Sequence, residues 1–263
     1  MSVFSGTVGF YRQYRPGIPQ SVADVLDSAV GRHTPRTLLD IGTGTGLVVE
    51  ALLGRFDDII AIDNDSDMLA AADTAIRPKL LDGTSLLLQQ TTAEQFSPPA
   101  GWYADLVTIC RAFHWLDQAP VLARLDSQVA PDGAVAIFGD NSFWVATSEW
   151  KAAMRSVIQQ FLGEQRRAGE GTFQHHNRPY SDIMRESPFN QVEELTVPVT
   201  RTWTADSVLG YLYSTSFAAP HLFGDRRDDF ERAARATLAQ FSDNDTFSEE
   251  NEFLIRIGRR GRA

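Results

Sequence analysis

The sequence predicts an α/β fold, a doubly wound and mostly parallel seven-stranded sheet with helices on both faces. Up to about residue 139, short and nearly continuous apolar runs alternate with stretches of helical apolar spacing. This alternation is typical of parallel strands that are covered on both sides. Beyond that point two helical blocks separate the last strands, and inserts at the carboxyl ends of such a sheet usually build a ligand pocket. We therefore also expect a helical cap.

The predicted elements follow from where each periodicity begins and ends. Strands are predicted at residues 37–41, 58–63, 84–90, 104–110, 133–139, 191–202 and 252–258. Helices are predicted at residues 18–31, 46–55, 65–76, 117–130, 147–167, 180–186, 205–217 and 225–241. The predicted organisation is a core of residues 1–140 with an N-terminal lid segment, cap inserts at 141–190 and 203–245, and final strands at 191–202 and 252–258 of the same sheet.

A glycine-rich turn follows the first predicted strand. That strand ends in Asp40, and Gly42, Gly44 and Gly46 alternate after it. Glycine is required where a ligand approaches bare backbone and where the turn visits positive φ. The second strand ends in Asp63, the position of an acid that binds a ribose diol. Together these features predict a nucleoside-binding half-fold.

The glycine spacing separates two classes of cofactor. Dinucleotide sites use G-x-G-x-x-G, whereas here the third glycine comes one residue earlier and Leu47 takes the dinucleotide position. The carboxylate of Asp40 suits an ammonium group better than a pyrophosphate. S-adenosylmethionine (SAM) carries an ammonium, a sulfonium and a nucleoside without phosphate, so the spacing favours SAM over NAD. The sequence also lacks a Tyr-x-x-x-Lys pair, which disfavours an oxidoreductase.

Composition excludes several other classes. The formal net charge of −10 disfavours nucleic acid as a partner. No apolar run approaches the ~20 residues of a membrane span, and the single cysteine, Cys110, is typical of a reducing cytoplasm. We expect no metal site, because the acids are scattered and the adjacent pair His175 and His176 has no partner at metal-ligand spacing.

Five segments together resemble class I SAM-dependent methyltransferases, and in particular a small-molecule subgroup similar to trans-aconitate-methyltransferase-like enzymes. They are residues 11–16, 39–46, 61–69, 92–94 and 105–115. The similarity covers residues 10–140 and continues loosely through 203–212. The resemblance implies a Rossmann-like fold, SAM as cofactor, a small-molecule acceptor bound by the helical cap, and a monomer or homodimer.

The resemblance also implies which residues bind the cofactor. Asp40 and the glycine turn are expected to hold the methionine moiety, Asp63 to accept both ribose hydroxyls, and Asn64 and Met68 to flank the adenine. Glu94 is expected either to contact the adenine or to cap a helix. The full implied set is Asp40, Gly42, Thr43, Gly44, Gly46, Asp63, Asn64, Met68, Ala93, Glu94, Arg111 and Tyr14.

Two residues beyond the fourth strand are candidates for catalysis. His114 is a candidate general base, since its pKa class is near neutrality; the alternative is a histidine that hydrogen-bonds locally or positions the substrate. Arg111 is expected beside the methyl group of the cofactor, where it either grips an acceptor carboxylate or pairs with an acid. The candidate substrate contacts are Tyr11, Arg15, Trp115 and Trp150, with Arg15 a second candidate for an anionic group.

These residues predict transfer of a methyl group from SAM to an oxygen or nitrogen of a small molecule, such as a specialised metabolite. One alternative is carboxylate O-methylation, which needs no base and favours Arg111 or Arg15 as the clamp. A nicotinamide-dependent oxidoreductase and a SAM binder without transferase activity are the alternatives from other classes.

Overall fold

The computed structural model describes residues 6–145, 148–168, 171–172 and 178–261. The helices are α1 (Val8–Tyr14), α2 (Gln20–Ser28), α3 (Leu47–Ala51), α4 (Ser66–Ile76), α5 (Gln118–Leu125), α6 (Glu149–Leu162), α7 (Tyr180–Arg185), α8 (Ala205–Tyr213) and α9 (Arg227–Leu238). The strands are β1 (Thr37–Ile41), β2 (Asp58–Asp63), β3 (Ser85–Gln90), β4 (Ala104–Cys110), β5 (Val129–Asp140), β6 (Arg167–Ala168), β7 (Gly171–Thr172), β8 (Gln191–Trp203) and β9 (Phe247–Arg259). Within these described ranges, no helix is long and apolar enough to cross a lipid bilayer.

Seven strands form one sheet in the order β3-β2-β1-β4-β5-β9-β8. The first five of these pair in parallel, and β9 runs antiparallel to β5. The short strands β6 and β7 pair separately as a hairpin. The predicted mostly parallel seven-stranded α/β sheet is confirmed.

The sheet has a topological switch point at β1. The chain continues from β1 to β2 on one side, while β4 pairs with the other side of β1. Ligands of doubly wound sheets bind outside the carboxyl ends of the strands at such a point. Asp40 pairs with Ala61 of β2 and Thr108 of β4, so its carboxylate lies at this switch point.

The central strands are buried because the sheet is covered on both faces. Leu39, Ile60 and Val107 have almost no exposed surface and belong to one apolar cluster. The cluster also takes in Val121 and Leu125 of α5. These contacts hold the carboxyl ends of β1, β2 and β4 in fixed register.

The chain divides into two compact units. The core unit comprises Gly17–Asp140, His176–Val197 and Glu252–Ala263. The cap unit comprises Met1–Pro16, Asn141–His175 and Pro198–Asn251.

This division differs from the predicted one in three places. The cap unit begins its last segment at Pro198, within the predicted strand at 191–202. The prediction puts residues up to 190 in the cap, but Met184 and Phe189 are fully buried in the apolar cluster of the core unit. The prediction attaches residues 1–16 to the core as a lid, but they group with the cap unit. There the ring of Phe10 in α1 packs edge-on against Tyr213 of α8, with the centroids 5.2 Å apart.

Several element boundaries also differ from the predicted ones. The last strand begins at Phe247 rather than at residue 252, and five helices end three to five residues early, namely α2, α5, α6, α8 and α9. The fifth strand begins at Val129 rather than at residue 133, because Pro131 and Gly133 lie in an irregular stretch that remains part of the strand. The helix after the glycine turn ends at Ala51 rather than at residue 55. None of these changes moves the carboxyl ends of β1, β2 and β4.

Candidate cofactor site and active site

The glycine turn after β1 uses its glycines for backbone geometry that other residues rarely adopt. Gly42, Gly44 and Gly46 all have positive φ, at 68°, 54° and 83°. A Cβ on Gly42 would lie 2.6 Å from Cβ of Ala112, and a Cβ on Gly46 would lie 2.4 Å from Cδ1 of Ile76. The turn therefore needs glycine both for its φ angles and for its close packing.

Hydrogen bonds from β2 fix the position of this turn. The backbone N–H groups of Gly42 and Thr43 both donate to the carbonyl of Ile62, at 2.9 and 3.0 Å. The N–H of Gly44 donates to Oδ2 of Asp63 at 2.8 Å. The turn after β1 is thus tied to the end of β2, so the two predicted cofactor acids lie on the same edge of the sheet.

Asp40 is a buried carboxylate with unused hydrogen-bonding capacity. It is 1% exposed, and its Oδ1 accepts a hydrogen bond from Oγ1 of Thr108 at 2.7 Å. Its Oδ2 is buried and has no hydrogen bond of standard geometry within the described part of the chain, while the hydroxyl groups of Thr43 and Thr108 oppose the effect of burial on the pKa of Asp40. Burial raises the pKa of Asp40 to about 7. A cationic donor would stabilise the charged form of this carboxyl group, and the ammonium group of SAM is such a donor.

Asp63 is only half buried and is held by backbone donors. Besides the bond from Gly44, its Oδ1 accepts from the N–H of Asp65 at 3.0 Å. Burial raises its pKa, and the backbone bonds from Asp65 and Gly44 oppose that rise. Each carboxylate oxygen has a second lone pair. The orientation is therefore fixed while acceptor capacity remains, which fits a pair of ribose hydroxyls.

The segment after β4 lies against the glycine turn. Ala112 is the residue that Gly42 approaches, and the short 3₁₀ helix Phe113–Trp115 follows at once. His114 is half buried in this helix, and its ring lies 4.7 Å from the ring of Trp115. Trp115 is 42% exposed. Adjacent parallel strands thus bring His114 to the same edge of the sheet as Asp40.

Arg111 forms an ion pair with Asp140. Its Nε donates to Oδ1 of Asp140 at 2.6 Å, and both side chains are largely buried. The guanidinium also lies 5.4 Å from the ring of Phe253. Arg111 has a positive φ of 55°, which is uncommon for a residue other than glycine. Arg111 was predicted either to grip an acceptor carboxylate or to pair with an acid, and this geometry corresponds to pairing with an acid.

The residues expected around the adenine follow β2 and β3 in the chain. Asn64 is exposed, whereas Met68 and Ala93 are buried. Oε1 of Glu94 accepts a hydrogen bond from the N–H of Asp117, at the start of α5, at 3.1 Å. This bond is the geometry of the helix-capping alternative, and an adenine contact of Glu94 stays a prediction.

The remaining predicted residues lie in the cap unit. The ring of Tyr14 fills the space over Gly210 of α8, where an added Cβ would meet it at 2.2 Å. The guanidinium of Arg15 lies 5.1 Å from the ring centroid of Tyr11. Trp150 is 7% exposed, and its Nε1 donates to the carbonyl of Ser248 at 3.0 Å. We assign Trp150 to the apolar core of the cap unit in place of the predicted substrate contact.

Metal ligation has no support in the described ranges. No group of three or more histidine, cysteine, aspartate or glutamate side chains is arranged there to hold a metal ion. His175 and His176 lie outside the described residues.

Two site residues were not identified in the sequence analysis, although each had a detectable signal. Thr108 bonds Asp40 because β1 and β4 are neighbours, and their register pairs the two residues. Asp140 ends β5 as Arg111 follows β4, and the carboxyl ends of parallel strands, which the sequence predicts, lie at one edge of the sheet.

This arrangement defines a SAM-binding α/β domain, and comparisons with known proteins agree. Residues 39–137 match the family described as a methyltransferase domain. The match spans the glycine turn and the carboxyl ends of β1, β2 and β4 in the core unit, and the predicted resemblance to SAM-dependent methyltransferases and the predicted cofactor are confirmed. The trans-aconitate subgroup stays a prediction.

Two curated relatives match only about half of this chain. An uncharacterized methyltransferase of Mycobacterium tuberculosis is 31% identical over 134 residues, which are 51% of this chain and 50% of that protein. A probable S-adenosylmethionine-dependent methyltransferase of Saccharomyces cerevisiae is 27% identical over 128 residues, 49% of this chain and 43% of that protein. The chain thus spans about half the length of these curated relatives.

The fold is shared over a longer stretch than the sequence. A solved structure of a putative type II methyltransferase from Anaeromyxobacter dehalogenans covers 94% of this chain and 98% of its own, with a TM-score of 0.58 at 19% identity. This likeness concerns the fold alone.

Proposed function

We propose that the protein transfers a methyl group from SAM to an oxygen or nitrogen atom of a small molecule, such as a specialised metabolite. The observation that carries the proposal is the buried Oδ2 of Asp40, which has no hydrogen bond of standard geometry in the described ranges and lies next to the three-glycine turn. A cofactor with an ammonium group would satisfy that atom. NAD has no such group to offer.

Each side chain at this edge of the sheet then has a defined task. Asp40 binds the ammonium, and Asp63 accepts hydrogen bonds from the ribose hydroxyls. SAM supplies an electrophilic methyl group on a sulfonium, which is already a good leaving group. The protein contributes mainly by holding the acceptor atom in line with the methyl group, which raises the effective molarity of the acceptor. Where the acceptor carries a proton on the reacting atom, His114 removes it.

Carboxylate O-methylation is the second candidate. A carboxylate acceptor has no proton to lose at neutral pH, so it would make a base unnecessary. The ion pair between Arg111 and Asp140 occupies Arg111 and reduces its value as a carboxylate clamp. Arg15 of the cap unit is then the better candidate for that role.

Replacing His114 by alanine separates the two candidates. If His114 is the base for a hydroxyl or amine, His114→Ala lowers kcat by about 10²- to 10⁴-fold. The matched control is His33→Ala, because His33 precedes β1 at the opposite edge of the sheet and bonds Asp105 at 3.1 Å. Turnover of His114→Ala near that of His33→Ala would rule out the base and leave carboxylate methylation.

A labelled-methyl assay across a panel of alcohols, amines and carboxylic acids provides the acceptor for this test. Incorporation of label into one class supports the proposal. SAM binding without incorporation into any member would instead support a non-catalytic SAM binder. RNA in the same panel tests a macromolecular acceptor, which the net charge of −10 disfavours.

A further inference from the structure

Two threonine–aspartate pairs join the central strands β1 and β4. Toward the carboxyl ends of the strands, Oγ1 of Thr108 in β4 donates to Oδ1 of Asp40 in β1 at 2.7 Å. At the amino ends, Oγ1 of Thr37 in β1 lies 2.9 Å from Oδ2 of Asp105 in β4. The same chemical pair therefore occurs at both edges of the sheet, once beside the glycine turn and once away from it.

The pair away from the glycine turn has its hydrogen-bonding capacity filled by the chain. Oδ2 of Asp105 also accepts from the backbone N–H of Thr37 at 2.8 Å, and Oδ1 of Asp105 lies 3.1 Å from Nε2 of His33. The hydroxyl of Thr37 in turn accepts from the N–H of Asp105 at 2.8 Å. Both oxygens of this carboxylate have partners in the chain, as expected of a contact that serves the fold.

The pair beside the glycine turn is filled only in part. Asp40 and Thr108 are register partners in β1 and β4, and both are almost completely buried. Oδ1 of Asp40 is bonded to Thr108, whereas Oδ2 makes no hydrogen bond of standard geometry with the residues that the structure describes. The chain thus holds one oxygen of Asp40 and leaves the other for a ligand.

The hydroxyl hydrogen of Thr108 has one good acceptor. Besides Oδ1 of Asp40 at 2.7 Å, it reaches the carbonyl of Leu39 at 3.5 Å, which is too long for a strong hydrogen bond. A carboxylate can only accept hydrogen bonds, and a donated bond stabilises the charged form more than the neutral acid. The hydroxyl of Thr108 therefore favours the ionised state of Asp40.

Other groups act on the charge of Asp40 as well. Burial raises the pKa of Asp40, and the hydroxyls of Thr43 and Thr108 oppose that rise. The negative charge of Asp63, at the end of β2, raises the pKa of Asp40 further. His114 follows β4 at the same edge of the sheet and is a second titratable side chain there. Removal of the Thr108 hydroxyl would leave burial and Asp63 less opposed.

We propose that Thr108 is a positioning residue for the cofactor, because its hydroxyl keeps Asp40 ionised and holds Oδ1 of that carboxylate while Oδ2 binds the ammonium group of SAM. This inference rests on the binding of the ammonium by Asp40 in the proposed function. The pair of Thr37 and Asp105 joins the same two strands and serves the fold.

Calorimetric titration with SAM between pH 6 and 8 tests the proposal without any acceptor and without turnover. Thr108→Val keeps the branched shape and removes the hydroxyl, whereas Thr108→Ser keeps the donor. Thr37→Val is the matched control, because it removes a hydroxyl from the same kind of pair at the amino ends of the strands. Should Thr108→Val not fold, Thr108→Ala removes the same hydroxyl in a smaller side chain.

We expect Thr108→Val to weaken SAM binding about 10- to 100-fold at pH 6 and less at pH 8, because loss of a hydrogen bond to the charged form raises the pKa of Asp40. The wild type and the variant share the titrations of His114 and of SAM itself, so the ratio of their dissociation constants reports on Asp40. Thr108→Ser should restore most of the affinity, and Thr37→Val should leave it unchanged.

The inference is wrong if Thr108→Val does not weaken SAM binding, or weakens it by the same factor at pH 6 and pH 8, since a purely structural role would not depend on pH in this way. It is also wrong if Thr37→Val reproduces the effect. Asp40→Asn separates this inference from the proposed function. Unchanged SAM binding in Asp40→Asn would remove the role of Asp40 on which both depend, whereas weaker binding in Asp40→Asn without an effect of Thr108→Val would refute the role of Thr108 alone.

Discussion

At the scale of single residues, the cofactor site depends on two carboxylates in different surroundings. Asp40 is fully buried with one oxygen bonded to Thr108. Asp63 is half buried and bonded to two backbone N–H groups. Because burial without a cation favours the protonated acid, Asp40 is the group whose charge responds to the cofactor. Asp63 keeps its orientation through the backbone.

This difference predicts a pH dependence of SAM binding. Burial raises the pKa of Asp40 to about 7, so in the free protein the carboxyl is protonated below that pH. The ammonium of SAM requires the carboxylate. The dissociation constant of SAM should therefore rise by up to about tenfold for each pH unit below 7 and level off above it.

The variant Asp40→Asn provides the control for this prediction. We expect it to weaken SAM binding about 10- to 100-fold at pH 8, through loss of the charged hydrogen bond, and to remove the dependence between pH 6 and 7. Calorimetry at several pH values measures both effects. A wild-type dissociation constant that does not change with pH would show that Asp40 does not bind the ammonium.

At the scale of elements, packing explains which glycines the fold requires. Gly46 and Gly83 have nearly the same positive φ, at 83° and 86°. A Cβ on Gly46 would lie 2.4 Å from Ile76 of α4, whereas a Cβ on Gly83 would meet nothing within 4 Å. Gly46 thus combines a backbone requirement with a contact between α3 and α4, and Gly83 has the backbone requirement alone.

These two glycines form a matched pair of variants. Gly83→Ala should lower the free energy of unfolding by about 1–2 kcal/mol, which is the cost of a left-handed residue. Gly46→Ala should cost a further ~1–3 kcal/mol, because the added methyl overpacks against Ile76. Urea denaturation measures both. Equal losses in the two variants would mean that the steric contact contributes nothing.

Helix α8 gives a second prediction at this scale. Alanine in place of a helical glycine usually stabilises a protein by about 0.5–1 kcal/mol. In Gly210→Ala the new Cβ would meet the ring of Tyr14 at 2.2 Å, so we expect a loss of about 1–3 kcal/mol instead.

A double-mutant cycle with Tyr14→Ala tests the origin of that loss. The alanine at 210 should cost less, or even stabilise, once the ring is gone, so the two effects should differ from additivity by at least about 1 kcal/mol. If the losses in free energy of unfolding for the two variants are additive in urea denaturation, Gly210 and the ring of Tyr14 are not in contact.

The bounds of the strands also show how much of the secondary structure can be predicted from the sequence alone. The bounds of β1, β2 and β4 agree with the predicted ones, because each is a continuous apolar run that ends in a polar residue or a turn. The fifth strand was predicted too short, since Pro131 and Gly133 suggest a turn although the strand continues through them. Local hydrophobic patterns identify strands and helices well, but they do not show whether an irregular stretch of chain still pairs with a neighbouring strand.

At the scale of the whole molecule, the mostly parallel seven-stranded sheet and the cofactor turn were predicted from the sequence, and the grouping of the units was not. The glycine spacing and the acids at the ends of β1 and β2 are local signals. The grouping of residues 1–16 with the cap unit depends on contacts with α8, about 200 residues away along the chain. Periodicity carries no information on such a long-range contact.

The same limit applies to other contacts within the cap unit. Arg15 and Tyr211 lie far apart in the sequence, and the guanidinium comes within 5.1 Å of the ring centroid only in the folded cap unit. The cofactor site, by contrast, is built on neighbouring strand ends of one sheet, which the sequence predicts as a set. The chain therefore reveals its cofactor more directly than its acceptor.

The central claim is that the glycine turn of the core unit binds SAM. Calorimetry with SAM, S-adenosylhomocysteine and NAD at pH 8 tests it most directly. We predict that SAM and S-adenosylhomocysteine each bind with one site per chain and that NAD does not bind. Tight binding of NAD without binding of SAM would contradict the account.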